Sequence, residues 1–221
     1  MTRYDFTTQP NRLNQNTMKW HEAESNPELL ELWVADMDFL PVPEIRDAVI
    51  NYAETHIFGY PYPSDELYQS IIDWEKNQHS YVVDKESIVL IEGVVPAIST
   101  AIQAFTKEGD AVLINTPVYP PFARSVRLNN RQLIENSLVK ANGHFEIDFE
   151  QLERDIVDNN VKLYVFCSPH NPGGRVWTKE ELAKVADLCQ KHGVLLVSDE
   201  IHQDLALYGN CLLYTSPSPR D

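Results

Sequence analysis

The chain has 221 residues, enough for one or two domains with buried cores. It carries 33 acidic against 18 basic side chains, a net charge of -15, which opposes binding to nucleic acid or to an anionic membrane. Three cysteines stand at spacings that indicate neither a disulfide framework nor a metal site. With no signal-peptide core and no apolar run near the roughly 20 residues of a membrane span, a cytoplasmic protein is expected.

The first predicted element of regular structure is a strand at Ser87–Ile91, a short apolar run rich in β-branched residues. Gly93 follows it and precedes a predicted helix. The apolar face of that helix should comprise Ile98, Ala101, Ile102 and Phe105.

Three further apolar runs predict buried strands at residues 111–114, 162–166 and 194–197. Between the last two, Thr178 and Glu181 have the spacing of a capping box, which predicts a helix that Gly193 ends. Its apolar face should comprise Leu182, Val185, Ala186 and Cys189. Continuous apolar strands that alternate with amphipathic helices predict an α/β fold: a three-layer αβα arrangement with a mostly parallel sheet.

Polar and glycine-rich loops follow each predicted strand, at the edge where open α/β sheets bind ligands. These loops are residues 93–95, 116–119, 168–174 and 198–202. If the topology is right, they converge on one rim.

Each loop has a chemical interpretation and a simpler one. Gly93 at a helix start suits phosphate binding, although such a glycine usually serves only a turn. Tyr119 could stack on a flat ring or merely pack. Asn171 could hydrogen-bond a ligand oxygen or only form an Asn-Pro-Gly turn. Asp199 at the end of a buried strand could meet a cation or cap the next helix, and the sequence favours neither.

Together these loops resemble those of fold-type-I pyridoxal-5′-phosphate (PLP) enzymes, the class I/II aminotransferase superfamily. Within it, the sequence is similar to the cystathionine β-lyase or carbon–sulfur lyase branch. The resemblance runs from Tyr4 to Asn210. Its marks are the segments 19–20, 33–39, 58–60, 93–96, 117–122, 170–174 and 198–202.

The resemblance implies a role for each of the loop residues. Asp199 would pair with the pyridine nitrogen of PLP, while Asn171 and His202 would contact its phenolic oxygen. Tyr119 would stack on the ring. The backbone around Gly93, Val94 and Val95 would hold the phosphate, although Glu92 departs from the small residue common before that glycine and must point away.

It also implies roles for residues earlier in the chain. Tyr60 would reach the phosphate of the neighbouring subunit in a homodimer. Ala35 and Asp36 would line the entrance for a small-molecule amino-acid substrate. Neither nucleic acid nor membrane is an expected partner.

The same resemblance implies that the chain is truncated before its C-terminal small domain. Residues 1–40 are expected to form an N-terminal arm and part of a small domain, and residues 41–210 an incomplete large PLP-binding domain. The Ser/Pro-rich segment 211–221 resembles a translated sequencing adapter. The Schiff-base lysine would lie beyond Asn210, since no lysine follows Lys191.

For the complete enzyme, the resemblance implies β-elimination of a cysteine S-conjugate such as cystathionine, which yields a thiol, pyruvate and ammonia. The fragment alone should be inactive. Aminotransfer on the same fold remains an alternative. A non-catalytic interaction domain is the alternative from another class.

Overall fold

The computed structural model describes residues 4–26, 28–141 and 143–206. The chain divides into two compact units, Met1–Tyr62 and Pro63–Asp221. The predicted adapter-like segment 211–221 lies outside the described residues. No helix in the described ranges is long and apolar enough to cross a membrane.

Among the described residues of the first unit, one segment is a regular helix, α1 (Pro43–Thr55), which begins with a proline in its first turn. Proline suits that position because its fixed φ is helical and the missing N–H would have no partner in the helix. The segments before α1 are irregular and are held by side-chain hydrogen bonds, such as the 3.0 Å bond from the Tyr4 hydroxyl to Glu44.

The second unit holds a parallel sheet and most of the helices. In chain order its elements are α2 (Asp65–His79), a 3₁₀ turn (Lys85–Ser87), α3 (Val94–Phe105), β1 (Ala111–Thr116), α4 (Pro121–Leu128), β2 (Gln132–Ser137), β3 (Val139–Ala141), β4 (His144–Glu146), α5 (Phe149–Asp158), β5 (Leu163–Cys167), α6 (Lys179–His192), β6 (Leu195–Asp199) and a second 3₁₀ turn (Gln203–Leu205).

The main sheet has four strands in the order β2-β1-β5-β6, and all of its neighbouring strands are parallel. β3 and β4 form a separate antiparallel hairpin. In the register of β5 and β6, Leu163 faces Leu195 and Cys167 faces Asp199. The carboxyl ends of both strands therefore finish level with each other.

Helices cover both faces of the sheet. On one face, alternate strand residues such as Leu113 and Tyr164 pack with side chains of α5 and α6. On the other, Val112 and Val165 pack with side chains of α3 and α4. This is the predicted three-layer αβα fold with a parallel sheet.

Most of the predicted elements of the second unit are confirmed. β1, β5 and β6 lie on the three later apolar runs. The capping box at Thr178 and Glu181 is present, and Gly193 ends α6 with a φ of 65°.

The predicted strand at Ser87–Ile91 is wrong. Ser87 ends a 3₁₀ turn, and residues 88–91 have no strand partner among the described residues. An extended run becomes a strand only when a neighbour takes up its backbone N–H and C=O groups. The side chain of Val89 is accordingly 83% exposed, whereas the pattern predicted burial.

The predicted inner face of α3 is also partly wrong. Ile98 and Ile102 are buried as expected, but Phe105 in the last turn is 65% exposed. The helix ends there, with Thr106 as its C-cap residue.

Candidate functional site

The loops that follow β1 and β5 are joined directly. The backbone N–H of Tyr119 donates to the carbonyl of Asn171, with 3.1 Å between nitrogen and oxygen. Tyr119 keeps 40% of its surface exposed. Its ring meets Phe122 edge-on, with 6.2 Å between the centroids. The Tyr119 ring therefore contacts Phe122 while the residue stays accessible.

Asp199 ends β6 and is 7% exposed. Its carbonyl accepts a hydrogen bond from the Ser168 N–H at 3.0 Å, which ties the carboxyl ends of β5 and β6 together. Burial raises the pKa of the Asp199 carboxyl, while the Ile201 backbone N–H at 3.1 Å and the nearby His202 lower it. A carboxylate in such surroundings gains from a cationic partner.

The Asp199 side chain forms a local turn, and the two interpretations that the sequence allowed, a cationic partner or a cap of the next helix, stay predictions. Its Oδ1 atom accepts the Ile201 N–H, a local turn that precedes the second 3₁₀ turn. Its position at the end of a buried strand also places the carboxyl at the edge where the site loops lie. His202 begins that 3₁₀ turn and is half-buried near Asp199.

Asn171 lies in the loop after β5 and is half-buried. Its backbone N–H donates to the Sγ atom of Cys167 at 3.4 Å. Cys167 is buried, and burial raises the pKa of its thiol to about 11, so the sulfur acts as a neutral acceptor. The predictions did not include Cys167, because a cysteine at the end of an apolar strand gives no signal beyond burial.

Gly93 immediately precedes α3, with φ 145° and ψ 163°. Residues with a Cβ atom avoid this region of backbone conformation, so the turn requires glycine. No side chain caps α3, which leaves the first amides of the helix, those of Val94 and Val95, without a side-chain acceptor. Helix N-termini of this kind bind anions.

The start of α3 packs on the same buried cluster as the loop after β1. Val94 and Val118 both contact the cluster on that face of the sheet, as do Val197 and Leu195 of β6. Glu92 is exposed.

The remaining predicted site residues belong to the first unit. Tyr60 is fully exposed, and Ala35 is exposed in an irregular segment. Asp36 forms an ion pair with Arg12. The roles predicted for these residues stay predictions.

A cluster of charged side chains holds the segment that contains Ala35 and Asp36. Asp38 accepts from Lys19 at 2.8 Å, from Arg12 at 3.0 Å and from the Trp20 indole N–H at 3.1 Å. These contacts hold the pKa of Asp38 below its ordinary value, and the hydrogen bond from Lys19 contributes most to that shift. Lys19 also donates to the carbonyl of Asp36 at 3.0 Å. The Lys-Trp pair that marks the resemblance is thus part of this cluster.

Lys191 lies away from the site loops. It stands in the last turn of α6, before β6 begins, and donates to Glu153 at 2.7 Å. That position is at the amino end of β6, opposite the carboxyl end where Asp199 lies.

The second unit therefore combines features that fit a flat, anionic aromatic cofactor such as PLP. A buried carboxylate can pair with a protonated ring nitrogen, and uncapped helix amides can hold a phosphate. Tyr119 can lie against a ring, and Asn171 can donate to a ring oxygen.

Residues 27–215 match the family model of aminotransferase class I and II. The cystathionine β-lyase PatB of Bacillus subtilis (strain 168) is 42% identical over 209 residues, which are 93% of this chain and 54% of that protein. The chain thus spans about half the length of the curated relatives it matches.

Solved structures agree. The crystal structure of cystalysin from Treponema denticola, which contains PLP, superposes with a TM-score of 0.89 at 40% identity, covering 97% of this chain and 56% of that one. A PLP-bound C-S lyase from Staphylococcus hominis, complexed with L-cycloserine, gives a TM-score of 0.87 at 31% identity, covering 96% and 55%.

Proposed function

Because the chain belongs to the aminotransferase class I and II family, we propose that it forms the N-terminal half of a PLP-dependent carbon–sulfur lyase. The proposed reaction breaks the C–S bond of a cysteine S-conjugate such as cystathionine. With one water molecule consumed, the products are a thiol, pyruvate and ammonia. The 42% identity to a cystathionine β-lyase is the observation that carries this choice.

We assign the cofactor contacts to the second unit. Asp199 would pair with the ring nitrogen, Asn171 and His202 would contact the phenolic oxygen, and Tyr119 would stack on the ring. The amides that follow Gly93, those of Val94 and Val95, would hold the phosphate. When bound, PLP supplies an electron sink for the charge left on the substrate Cα.

Asp199 has the central task in this proposal. Its carboxylate is costly to bury alone, so an ion pair with the ring nitrogen would relieve that cost. The same pairing would hold a proton on that nitrogen. Cofactor binding is therefore favoured, because it gives the buried Asp199 carboxylate a cationic partner.

For the first unit we propose substrate and subunit contacts. Ala35 and Asp36 would line the substrate entrance, held in place by Arg12 and Lys19. Tyr60 is fully exposed, and we propose that it reaches the phosphate of the second subunit in a homodimer. The base that removes the Cα proton would be a lysine outside this chain.

Product analysis tests the reaction. The whole protein, incubated with L-cystathionine and PLP, should release pyruvate, which lactate dehydrogenase detects through NADH oxidation. Asp199→Ala should abolish the release, and the 221-residue chain should match the no-enzyme control.

Aminotransfer on the same fold is the competing activity, and a different assay detects it. Conversion of the amino acid that depended on an added 2-oxoacid, without thiol release, would replace the lyase proposal. Pyruvate release by the 221-residue chain itself would mean that a lysine within this chain takes part in the reaction and that the active site has been misplaced.

A further inference from the structure

His170 begins the turn that contains Asn171 and pairs with Arg175 at the end of that turn. Its backbone N–H donates to the Arg175 carbonyl at 2.7 Å, and its carbonyl accepts from the Gly174 N–H at 2.8 Å. Its side chain closes the same turn, because Nδ1 accepts the backbone N–H of Gly173 at 3.2 Å. The imidazole therefore acts as part of the backbone hydrogen-bond pattern.

The ring is suited to that acceptor role. His170 is 3% exposed, and its ring meets that of Trp177 edge-on, with 5.7 Å between centroids and an interplanar angle of 76°. Burial lowers the pKa of the imidazole to about 4, so it is neutral at physiological pH. A neutral ring that accepts at Nδ1 must carry its proton on Nε2, an atom that is buried with no hydrogen-bond partner among the described residues.

Gly173 is matched to this ring. A Cβ atom at position 173 would come 2.6 Å from Nδ1 of His170 and 3.1 Å from a ring carbon of Phe145. Only glycine lets the backbone come close enough to donate to the imidazole. The contact thus depends on both residues, and both lie within two positions of Asn171.

We propose that His170 is a positioning residue: its Nδ1 atom accepts the Gly173 N–H and so holds the turn in which the Asn171 side chain meets the ring oxygen of PLP. The inference rests on the proposed role of Asn171 as a cofactor ligand. It deepens that role by naming the group that sets the geometry.

Two substitutions separate the acceptor from the packing. His170→Phe keeps a ring against Trp177 but removes the acceptor, whereas His170→Asn keeps an oxygen at the position of Nδ1. PLP affinity is measured by equilibrium dialysis on the 221-residue chain and on the whole protein. We expect His170→Phe to weaken PLP binding about tenfold and His170→Asn to stay within about threefold of the unchanged protein.

A double-mutant cycle tests whether His170 acts through Asn171. In an Asn171→Ala background, His170→Phe should have no further effect on PLP affinity, since the residue it positions is gone. Fully additive losses would overturn the inference. His192→Phe is the matched control and should leave PLP affinity unchanged. His192 lies at the end of α6 and pairs with Glu153 of α5 at 2.7 Å, outside the turn.

A second measurement needs neither PLP nor a substitution. Nitrogen-15 NMR of the labelled histidines should find His170 with an unprotonated Nδ1 and a protonated Nε2 near pH 7. A proton on Nδ1 would overturn the inference even if PLP binds. If the protein shows the expected tautomer but fails to bind PLP, the proposed function is contradicted, while the hydrogen bond from Gly173 to His170 is confirmed.

Discussion

At the residue scale, two buried titratable side chains stand close to the same turn, and burial drives both toward their neutral forms. It raises the pKa of the Asp199 carboxyl and lowers that of the His170 imidazole to about 4. For His170 the neutral form is the one that makes the observed hydrogen bond. For Asp199 the charged form is the one that a cationic ring nitrogen would require, so its burial is unfavourable until that partner arrives.

Asp199→Asn should therefore stabilise the chain without cofactor and weaken PLP binding. The folded-state pKa is raised, so stability from the protonated carboxyl is complete below the unfolded pKa and is lost as pH rises through the folded pKa. The gain from asparagine should be larger at pH 7.5 than at pH 5. Urea midpoints at both pH values measure it, with Asp187→Asn on the exposed side of α6 as control.

An unchanged urea midpoint at pH 7.5 would mean that the buried charge of Asp199 does not destabilise the folded chain. An unchanged PLP affinity would contradict its role at the ring nitrogen.

Asp38→Asn should loosen the segment that contains Ala35 and Asp36. Asp38 binds Arg12, Lys19 and Trp20, and removal of its charge leaves two cations with weaker partners. Limited proteolysis at residues 33–39 should become several-fold faster. Asp47→Asn is the control, because Asp47 is exposed and pairs with its neighbour Arg46.

Equal cleavage rates in the two Asp38 and Asp47 variants would contradict this account of the cluster.

At the element scale, the sequence predicted elements whose pattern is local and missed what depends on distant partners. The runs that became β1 and β5 are buried between two layers of helices, so a continuous apolar pattern identified them. Residues 88–91 have the same pattern, but no neighbour pairs with them among the described residues. β2 went unpredicted because, at the edge of the sheet, it mixes polar and apolar residues.

The same distinction applies to the site. Asp199, Asn171 and Tyr119 could be grouped from the sequence because parallel strands bring their carboxyl ends to one edge. The Gly173–His170 contact could not, since a side-chain acceptor within a turn leaves no spacing signal in one sequence. The sequence marked the Lys19-Trp20 pair by resemblance, and only the structure revealed its contacts with Asp38.

Thr178→Ala should destabilise the chain by about 1 kcal/mol through loss of the N-cap of α6. Glu181→Ala should cost more, because Glu181 returns the capping bond at 2.7 Å and also binds Arg175. The Arg175 carbonyl accepts the His170 N–H, so this loss should reach the turn. Urea unfolding measures the loss of stability in each variant. Equal losses would mean that the contact between Glu181 and Arg175 adds nothing to the capping bond.

At the scale of the whole molecule, β6 is one end of the four-stranded sheet, and residues 88–91 expose apolar side chains. An edge strand with unpaired N–H and C=O groups invites pairing with another chain. Apolar surface of this kind commonly marks an interaction site. We propose that the outer edge of β6 and the exposed apolar residues 88–91 pair or pack with other copies when the 221-residue chain is alone in solution.

The 221-residue chain should consequently self-associate as its concentration rises. Size-exclusion chromatography with light scattering measures the mass, and Val89→Lys should reduce the association. Val157→Lys is the matched control, since Val157 is an exposed apolar residue on α5. A monomer at every concentration would contradict the proposal.

The bond between the Tyr119 N–H and the Asn171 carbonyl uses only main-chain atoms, so it does not depend on either side chain. Positions 119 and 171 can therefore be randomised separately or together in a library while their loops stay joined. Each library member would then differ in the two side chains proposed to contact PLP and share one scaffold. A screen for altered PLP affinity can start from these two codons.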